Sequence, residues 1–432
     1  MNSLRFILAA ALVAAVPAYA DLRAEIDALA KQIEPRVIEW RRDIHQHPEL
    51  GNREFRTAAL VAAHLESLGM EVQTGVAHTG VVGLLKGGKP GPVVALRADM
   101  DALPVTEETD LPFASKARTM WAGQETGVMH ACGHDTHVAM LMGVAEILAK
   151  RRAQLPGTVK FIFQPAEESP PPGEEGGAAL MIKQGVLENP RPDAIFALHV
   201  GSRLNVGHIA YRPGPLMASG DVLHITVKGR QTHGAAPWAG IDPIVVASQI
   251  VLGLQTIVSR GLEITREPAI VSIGTIHGGN RFNIIPDAVE MSGTIRTFDE
   301  DMRKDIHRRI RQIAGSIAES AGATAEVRIE EAYAVTINDP ALTERMVPTL
   351  KRVAGDSNVF LANKVTGAED FSFFQQIIPG MYFFMGITPE GQDPRTAAFN
   401  HSPRFYVDES GLLLGVRALT HLTLDYMEMN KR

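Results

Sequence analysis

Short apolar runs alternate along this chain with stretches in which apolar residues recur every three or four positions. Val93–Arg97, Val159–Phe163 and Ala194–Val200 are such runs, the pattern of strands buried on both faces. Between and around them, 21–50, Arg56–Leu68 and Thr136–Arg151 carry helical spacing. Pro48 and Gly69 stop the first two, and Asp135 stands where it would cap the third. Strands buried on both sides and separated by helices predict an α/β fold with a doubly wound, mostly parallel sheet. The texture changes near Leu216. Val222–Lys228 alternates like a half-exposed strand. Helix Pro243–Val258, strands Ile270–Ile276 and Ala288–Arg296, helix Met302–Ala321 and strand Ala325–Glu330 follow. That β-α-β-β-α-β order predicts a ferredoxin-like α+β domain inserted in the larger one. After it the first pattern resumes, with helix Pro340–Val353, strand Gly380–Met385 and a last helix from Ser410. The expected organisation is therefore a signal segment (1–20), a first part of the larger domain (21–215), the insert (216–332) and a second part (333–432).

Residues 1–20 have one charge, Arg5, then an apolar run to Pro17 and the small-x-small ending Ala18-Tyr19-Ala20. This reads as a cleavable secretory signal, so the mature chain is expected in a periplasm or outside the cell. No later segment is expected to cross a membrane. The roughly 410 remaining residues exceed what one core serves, which agrees with two domains. The formal charge is −7, and losing Arg5 with the signal makes it −8. No basic stripe offsets that, so nucleic acid is not an expected partner. Ser169–Gly177, rich in Pro, Gly and Glu, is expected to be a mobile loop beside a site.

The candidate chemistry gathers where strands end. The single cysteine lies in His130-Ala131-Cys132-Gly133-His134-Asp135-Thr136-His137. It has no partner for an internal disulfide, and its thiolate could bridge two metal ions. Asp99 and Asp101 follow one buried run, Glu167 and Glu168 another, His199 ends a third, and His401 lies in a loop near the C-terminus. Carboxylates, imidazoles and a thiolate converging on one sheet edge would repel and lose hydration without a cation. Adjacent residues after a strand point differently, so Glu168 is read as a metal ligand and Glu167 as a general base facing the attacking water. The exchange of these two roles is the competing reading.

Six segments carry a resemblance: 41–50 (RRDIHQHPEL), 97–104 (RADMDALP), 130–137, 164–168, 232–237 (THGAAP) and 400–403 (NHSP). Together they resemble the M20 metallopeptidase family. Within it they match the amidohydrolase branch of hippurate hydrolase-like, N-acyl-amino-acid and plant auxin-conjugate amidohydrolases. The resemblance spans nearly the whole mature chain. It implies two divalent ions (zinc, manganese or cobalt) on Cys132, His134, Glu168, His199 and His401, with Glu167 as base. Asp99 and Asp101 then stand behind the ligands, His130 and His137 are alternatives to His134, and His45 and His47 are structural. From the insert, expected to act as a lid and to join subunits into a homodimer or higher oligomer, it implies His233 on the oxyanion. Asn283 and Arg296 would hold a substrate carboxylate, and Gly367 would lie near the site. The implied reaction is hydrolysis of an N-acyl or N-aroyl amino acid with a free carboxylate. Carboxypeptidase or dipeptidase action on short peptides, and a non-catalytic exported binding protein, are the alternatives.

Overall fold

The structure, a computed structural model, describes residues 4–431, with side chains from residue 22 onward. Of the expected signal segment, residues 1–3 and the side chains of the rest lie outside the described residues. The chain divides into two compact units. One comprises 1–213, 338–362 and 374–432; the other comprises 214–337 and 363–373.

The first unit is built on an eight-stranded sheet. Its strand order is Glu71–Val76, Gly80–Lys86, Pro156–Gln164, Lys89–Asp99, Ala194–Asn205, Gly380–Thr388, Ile209–Tyr211, Val359–Leu361. The four central strands, Pro156–Gln164 to Gly380–Thr388, run parallel. Their side chains are buried almost throughout, as the unbroken apolar runs predict. The sheet is mixed rather than uniformly parallel. Gly80–Lys86 joins antiparallel to Pro156–Gln164, and Ile209–Tyr211 antiparallel to Gly380–Thr388. Among the flanking strands, Ile209–Tyr211 and Val359–Leu361 are too short to show a pattern and Glu71–Val76 is mostly exposed, whereas Gly80–Lys86 is a buried seven-residue strand outside the expected elements.

Helices Leu4–Gln46, His134–Lys150, Pro340–Ala354 and Leu412–Met429 contribute to the main core, which includes Ile26, Val37, Leu141, Met346, Phe161, Phe196 and Leu419. Ion pairs tie the first helix to the last: Arg23 reaches Asp425 at 2.7 Å, and Arg417 reaches Asp27 at 2.7 Å. Asp135 does not cap helix His134–Lys150. The capping residue is Gly133, in the left-handed region at φ 94°, and Asp135 lies inside the first turn with its carboxylate buried.

The second unit is a four-stranded antiparallel sheet in the order Ala269–Gly278, Ala288–Thr297, Gly220–Lys228, Thr324–Tyr333. Helices Pro243–Thr256 and Glu300–Ser320 cover it through Val246, Ile250, Leu254, Ile306 and Ile310. This is the split β-α-β-β-α-β arrangement. This unit also holds an apolar segment of membrane-spanning length, which the sequence was not expected to contain. The helical stretch Pro243–Gly261, 19 residues with mean hydropathy 1.4, is long and apolar enough to cross a membrane by length and composition. Its apolarity has two sources. The inner face belongs to this core, while Ile244, Val245 and Leu252 on the other face are exposed, Leu252 by 72%.

Candidate metal centre

Two of the central strands stop side by side, with Asp99 in register with Gln164. Beyond Asp99 the chain turns, Met100 N–H bonding to Gln164 O at 2.8 Å, and delivers Asp101. Beyond Gln164 the backbone is forced into the left-handed region at Ala166 (φ 51°) and again at Ser169 (φ 105°). Such conformations persist where neighbours over-determine them. Here Ala166 N–H donates to Glu54 Oε1 at 2.9 Å and Glu168 N–H donates to Asp101 Oδ2 at 3.0 Å. Glu167 and Glu168 are thus presented from a strained loop pinned at both ends. Ser169–Gly177 continues it and is anchored, not free. Asn52 Nδ2 donates to Glu175 O at 3.0 Å, Arg53 pairs with Glu174, and His78 Nε2 donates to Glu175 O at 3.1 Å.

Cys132 and His134 sit at the start of helix His134–Lys150. A buried ion network fixes that start: Asp135 Oδ2 takes Arg41 Nε at 2.8 Å and His45 Nδ1 at 2.9 Å, and His45 Nε2 lies 3.2 Å from Glu107 Oε1. His47, by contrast, is exposed and bonds its own helix at Asp43 O. Gly133 is required twice over. Its φ of 94° disfavours any side chain, and a Cβ there would lie 2.4 Å from Val200 Cγ2. Gly133→Ala is expected to destabilise the protein by about 2 kcal/mol or more and to weaken metal binding, since Val200 adjoins His199. Thermal unfolding with and without divalent ion measures both; an unchanged midpoint would contradict this.

His199 is not terminal in its strand, which continues to Asn205; it pairs with Phe384. It faces Cys132, with Nε2 3.3 Å from Sγ. The two imidazoles have assigned protons. His134 Nδ1 donates to Asp101 O at 2.8 Å and His199 Nδ1 to Val200 O at 2.7 Å. Nε2 is thus the atom each ring has left for a metal, the usual arrangement of ligating histidines, and it would offer its lone pair once unprotonated. His137 is different. Val200 N–H donates to its Nε2 at 3.0 Å while its Nδ1 donates to Asp99 Oδ1 at 2.5 Å, so it has no lone pair to offer. Asp99 is also held by Arg97 Nη1 at 2.6 Å, and its Oδ2 is 3.8 Å from His134 Nε2. His130 is buried beside His45, with their ring centroids 6.4 Å apart, and makes no hydrogen bond through either ring nitrogen.

Potential ligand atoms within 4.8 Å of one another form overlapping triads. Cys132, His134 and His199 make one, and Cys132, Glu168 and His401 another. His134, Glu167 and Glu168 make a third. Cys132 belongs to both of the first two, as a thiolate shared by two neighbouring ions would. His401 Nε2 lies 2.8 Å from Glu168 Oε1, yet that oxygen makes no aligned hydrogen bond, and His134 Nε2 is buried without one. Orphaned donor atoms facing one another are what a cation would satisfy.

The electrostatics agree. Burial, then the charges of Glu168 and Glu167, hold the Cys132 thiol well above its ordinary pKa. Burial depresses His134, but Asp99, Asp101 and Glu168 outweigh it and push the imidazole up to about 10. Burial and the neighbouring His137 hold His199 well below its usual range. Negative charge is in excess at this point of the fold, and a divalent cation fits it.

The other expected site residues belong to the second unit. His233 is exposed and lies in a two-residue strand paired with Ile284–Ile285. Its Nδ1 accepts from Ala235 N–H at 2.9 Å, which leaves the proton on Nε2. Gly234 N–H donates to Asn283 O at 2.8 Å, so His233 and Asn283 share one corner; Asn283 Oδ1 is buried without a partner. Arg296 is half-buried, with Nε bonded to Thr294 Oγ1 at 3.1 Å. Gly220 makes room for it: a Cβ there would be 2.7 Å from Arg296 Nη1 and 3.0 Å from Ala368 Cβ. Gly367 beside Ala368 is exposed and has no left-handed backbone, so conformation alone does not demand glycine there.

Residues 95–425 match the model of peptidase family M20/M25/M40. The chain belongs to that family. It is 45% identical over 413 residues to thermostable carboxypeptidase 2 of Saccharolobus solfataricus, covering 95% of this chain and all of that one. It is 39% identical over 402 residues to the N-acetylcysteine deacetylase of Bacillus subtilis, covering 93% and 99%. The crystal structure of the Bacillus subtilis YXEP protein, described as a dinuclear metal-binding peptidase of the M20 family, superposes with a TM-score of 0.76. It is 37% identical, with 92% of this chain and 99% of that one covered. This M20 protein is therefore a metal-dependent hydrolase of amide bonds with an α/β fold.

Proposed function

We propose that this M20 enzyme hydrolyses the amide of N-acyl or N-aroyl amino acids that carry a free carboxylate, hippurate-like compounds among them. The observation that carries the reading is the pair of ligand triads sharing Cys132, with Glu167 beside them at 3.9 Å from His134 Nε2. Cys132, His134, Glu168, His199 and His401 would hold two ions, and a divalent ion bound there supplies Lewis acidity toward the amide carbonyl and a water of lowered pKa. Zinc suits the thiolate and imidazoles; manganese and cobalt suit the mixed set.

Glu167 takes the water's proton and passes it to the leaving nitrogen. Asp101 holds two ligand segments at once, through His134 Nδ1 and Glu168 N–H. Asp99 acts one step behind, through His137 and Arg97. The fixed tautomer of His233 supports its role as an oxyanion donor, since Nε2–H is the end left exposed. The guanidinium of Arg296 and the amide of Asn283 would bind the substrate carboxylate. Ile244, Val245 and Leu252, with Ile270 and Ile276 on the sheet's edge strand, are exposed and apolar, which supports a homo-oligomer formed through the second unit. Export through cleavage after Ala20 completes the proposal.

A second reading is favoured by one observation, the 45% identity to a relative named as a carboxypeptidase. A panel of N-acetyl, N-benzoyl and N-aroyl amino acids beside dipeptides and longer peptides, assayed with zinc, manganese and cobalt in turn, separates the two. Preference for acylated amino acids supports the amidohydrolase reading. Cleavage confined to peptides would replace it with the carboxypeptidase.

A further inference from the structure

Three of the proposed ligands lie on segments far apart in sequence: Cys132 before a helix, His199 inside a strand, His401 in a late loop. One side chain touches the backbone of Cys132 and of Val200, next to His199, and immediately precedes His401. Asn400 Nδ2 donates to Cys132 O at 3.2 Å and to Val200 O at 3.1 Å, and it lies 3.8 Å from Cys132 Sγ. Asn400 Oδ1 accepts from Ser202 N–H at 3.4 Å. Two carbonyls on one side and an N–H on the other fix which way the amide points. The next residue, His401, is held at φ 74°, a left-handed conformation rare for a side chain of its size, and its N–H donates to Ala131 O at 2.7 Å.

We infer that Asn400 is a positioning residue of the metal centre, a carboxamide strut that locks the Cys132, His199 and His401 segments into ligating register and offers an N–H toward the thiolate. The inference rests on the reading of this cluster as a metal centre. Only a primary amide of this length meets the requirement. Aspartate would keep the Ser202 acceptor but set a carboxylate against two carbonyl oxygens and a thiolate. Alanine would strip Cys132 O and Ser202 N–H of this tie and leave Val200 O with His199 Nδ1 alone, so the three segments would lose their common strut.

The test is zinc affinity, by competition with a chromophoric chelator, for metal-stripped wild type, Asn400→Ala and Asn400→Asp. The absorption spectrum of the cobalt-loaded proteins reports thiolate ligation independently. Affinity is expected to fall about 10- to 100-fold in both variants, with an altered cobalt–thiolate band. Circular dichroism and thermal unfolding of the stripped variants should stay close to wild type. Zinc affinity within about twofold of wild type in either folded variant would overturn the inference. Failure of both variants to fold without metal would overturn it equally, by assigning Asn400 to the fold and not to the centre. If wild type itself binds no zinc, manganese or cobalt, the metal reading fails, an outcome separate from any difference between wild type and variants.

Discussion

Glu167→Gln is expected to lower kcat by about 100- to 10,000-fold while leaving the metal content of the protein unchanged. Glutamine keeps the size of the side chain and one acceptor, so the loop Pro165–Ser169 retains its ties to Glu54 and Asp101. What it removes is a group able to take and return a proton. The adjacent Glu168→Gln should behave differently. Glu168 is the carboxylate that meets His401 at 2.8 Å and joins Cys132 in a ligand triad, so its loss should fall first on metal affinity. Measuring kcat and bound metal for both variants decides the assignment between two neighbours that the sequence leaves interchangeable. If Glu167→Gln lost metal and Glu168→Gln kept it, the roles would be reversed. If Glu167→Gln with full metal hydrolysed within about tenfold of wild type, the general base would lie elsewhere.

The reason that pair was ambiguous in sequence also explains what was legible and what was not. Patterns with a period were readable. The unbroken runs around Leu96, Phe161 and Phe196 became the parallel centre of the sheet, and the spacing in 302–321 became the helix Glu300–Ser320. Ligand types were readable too, because a thiol among imidazoles has few other uses. The residues that hold the ligands in place carried no such mark. Glu54 precedes a helix, where an acidic residue reads as an exposed first-turn charge. In the fold it is fully buried, and burial together with the Asp101 charge pushes its carboxyl up to about 8 while it grips Ala166 N–H. Asp135 has the spacing of a helix cap, but Arg41 and His45, some ninety residues earlier, claim its carboxylate. Asn400 looked like a loop asparagine. His130 and His137 resembled ligands by proximity. For His137 only the three-dimensional partners of its two nitrogens, Asp99 and Val200, show that its lone pair is spent. Tautomers and long-range partners are properties of the folded chain and leave no trace in local spacing.

Removing divalent metal is expected to reduce hydrolysis to about 1% or less, with activity returning on addition of one of zinc, manganese or cobalt. The stripped protein should take metal up with release of protons. In its absence Cys132 stays a thiol, held above its ordinary pKa by burial and by Glu168 and Glu167. His134 stays an imidazolium, its pKa about 10 because Asp99, Asp101 and Glu168 outweigh burial. Ligation needs the thiolate and the neutral imidazole. Each group must therefore lose a proton that it would otherwise keep through neutral pH, so apparent metal affinity rises as pH rises and falls as pH drops. Calorimetric titration at about pH 6 and about pH 8, in buffers of different ionisation enthalpy, counts the protons released. About two per thiolate–imidazole pair is the expected result, and an affinity flat with pH would contradict the ligand set. The same stripped protein tests a thiol mechanism. Hydrolysis that survived chelation and vanished on alkylation would make Cys132 a nucleophile, whereas its raised pKa and its place in two ligand triads make a metal-free thiolate the less stable state of this site.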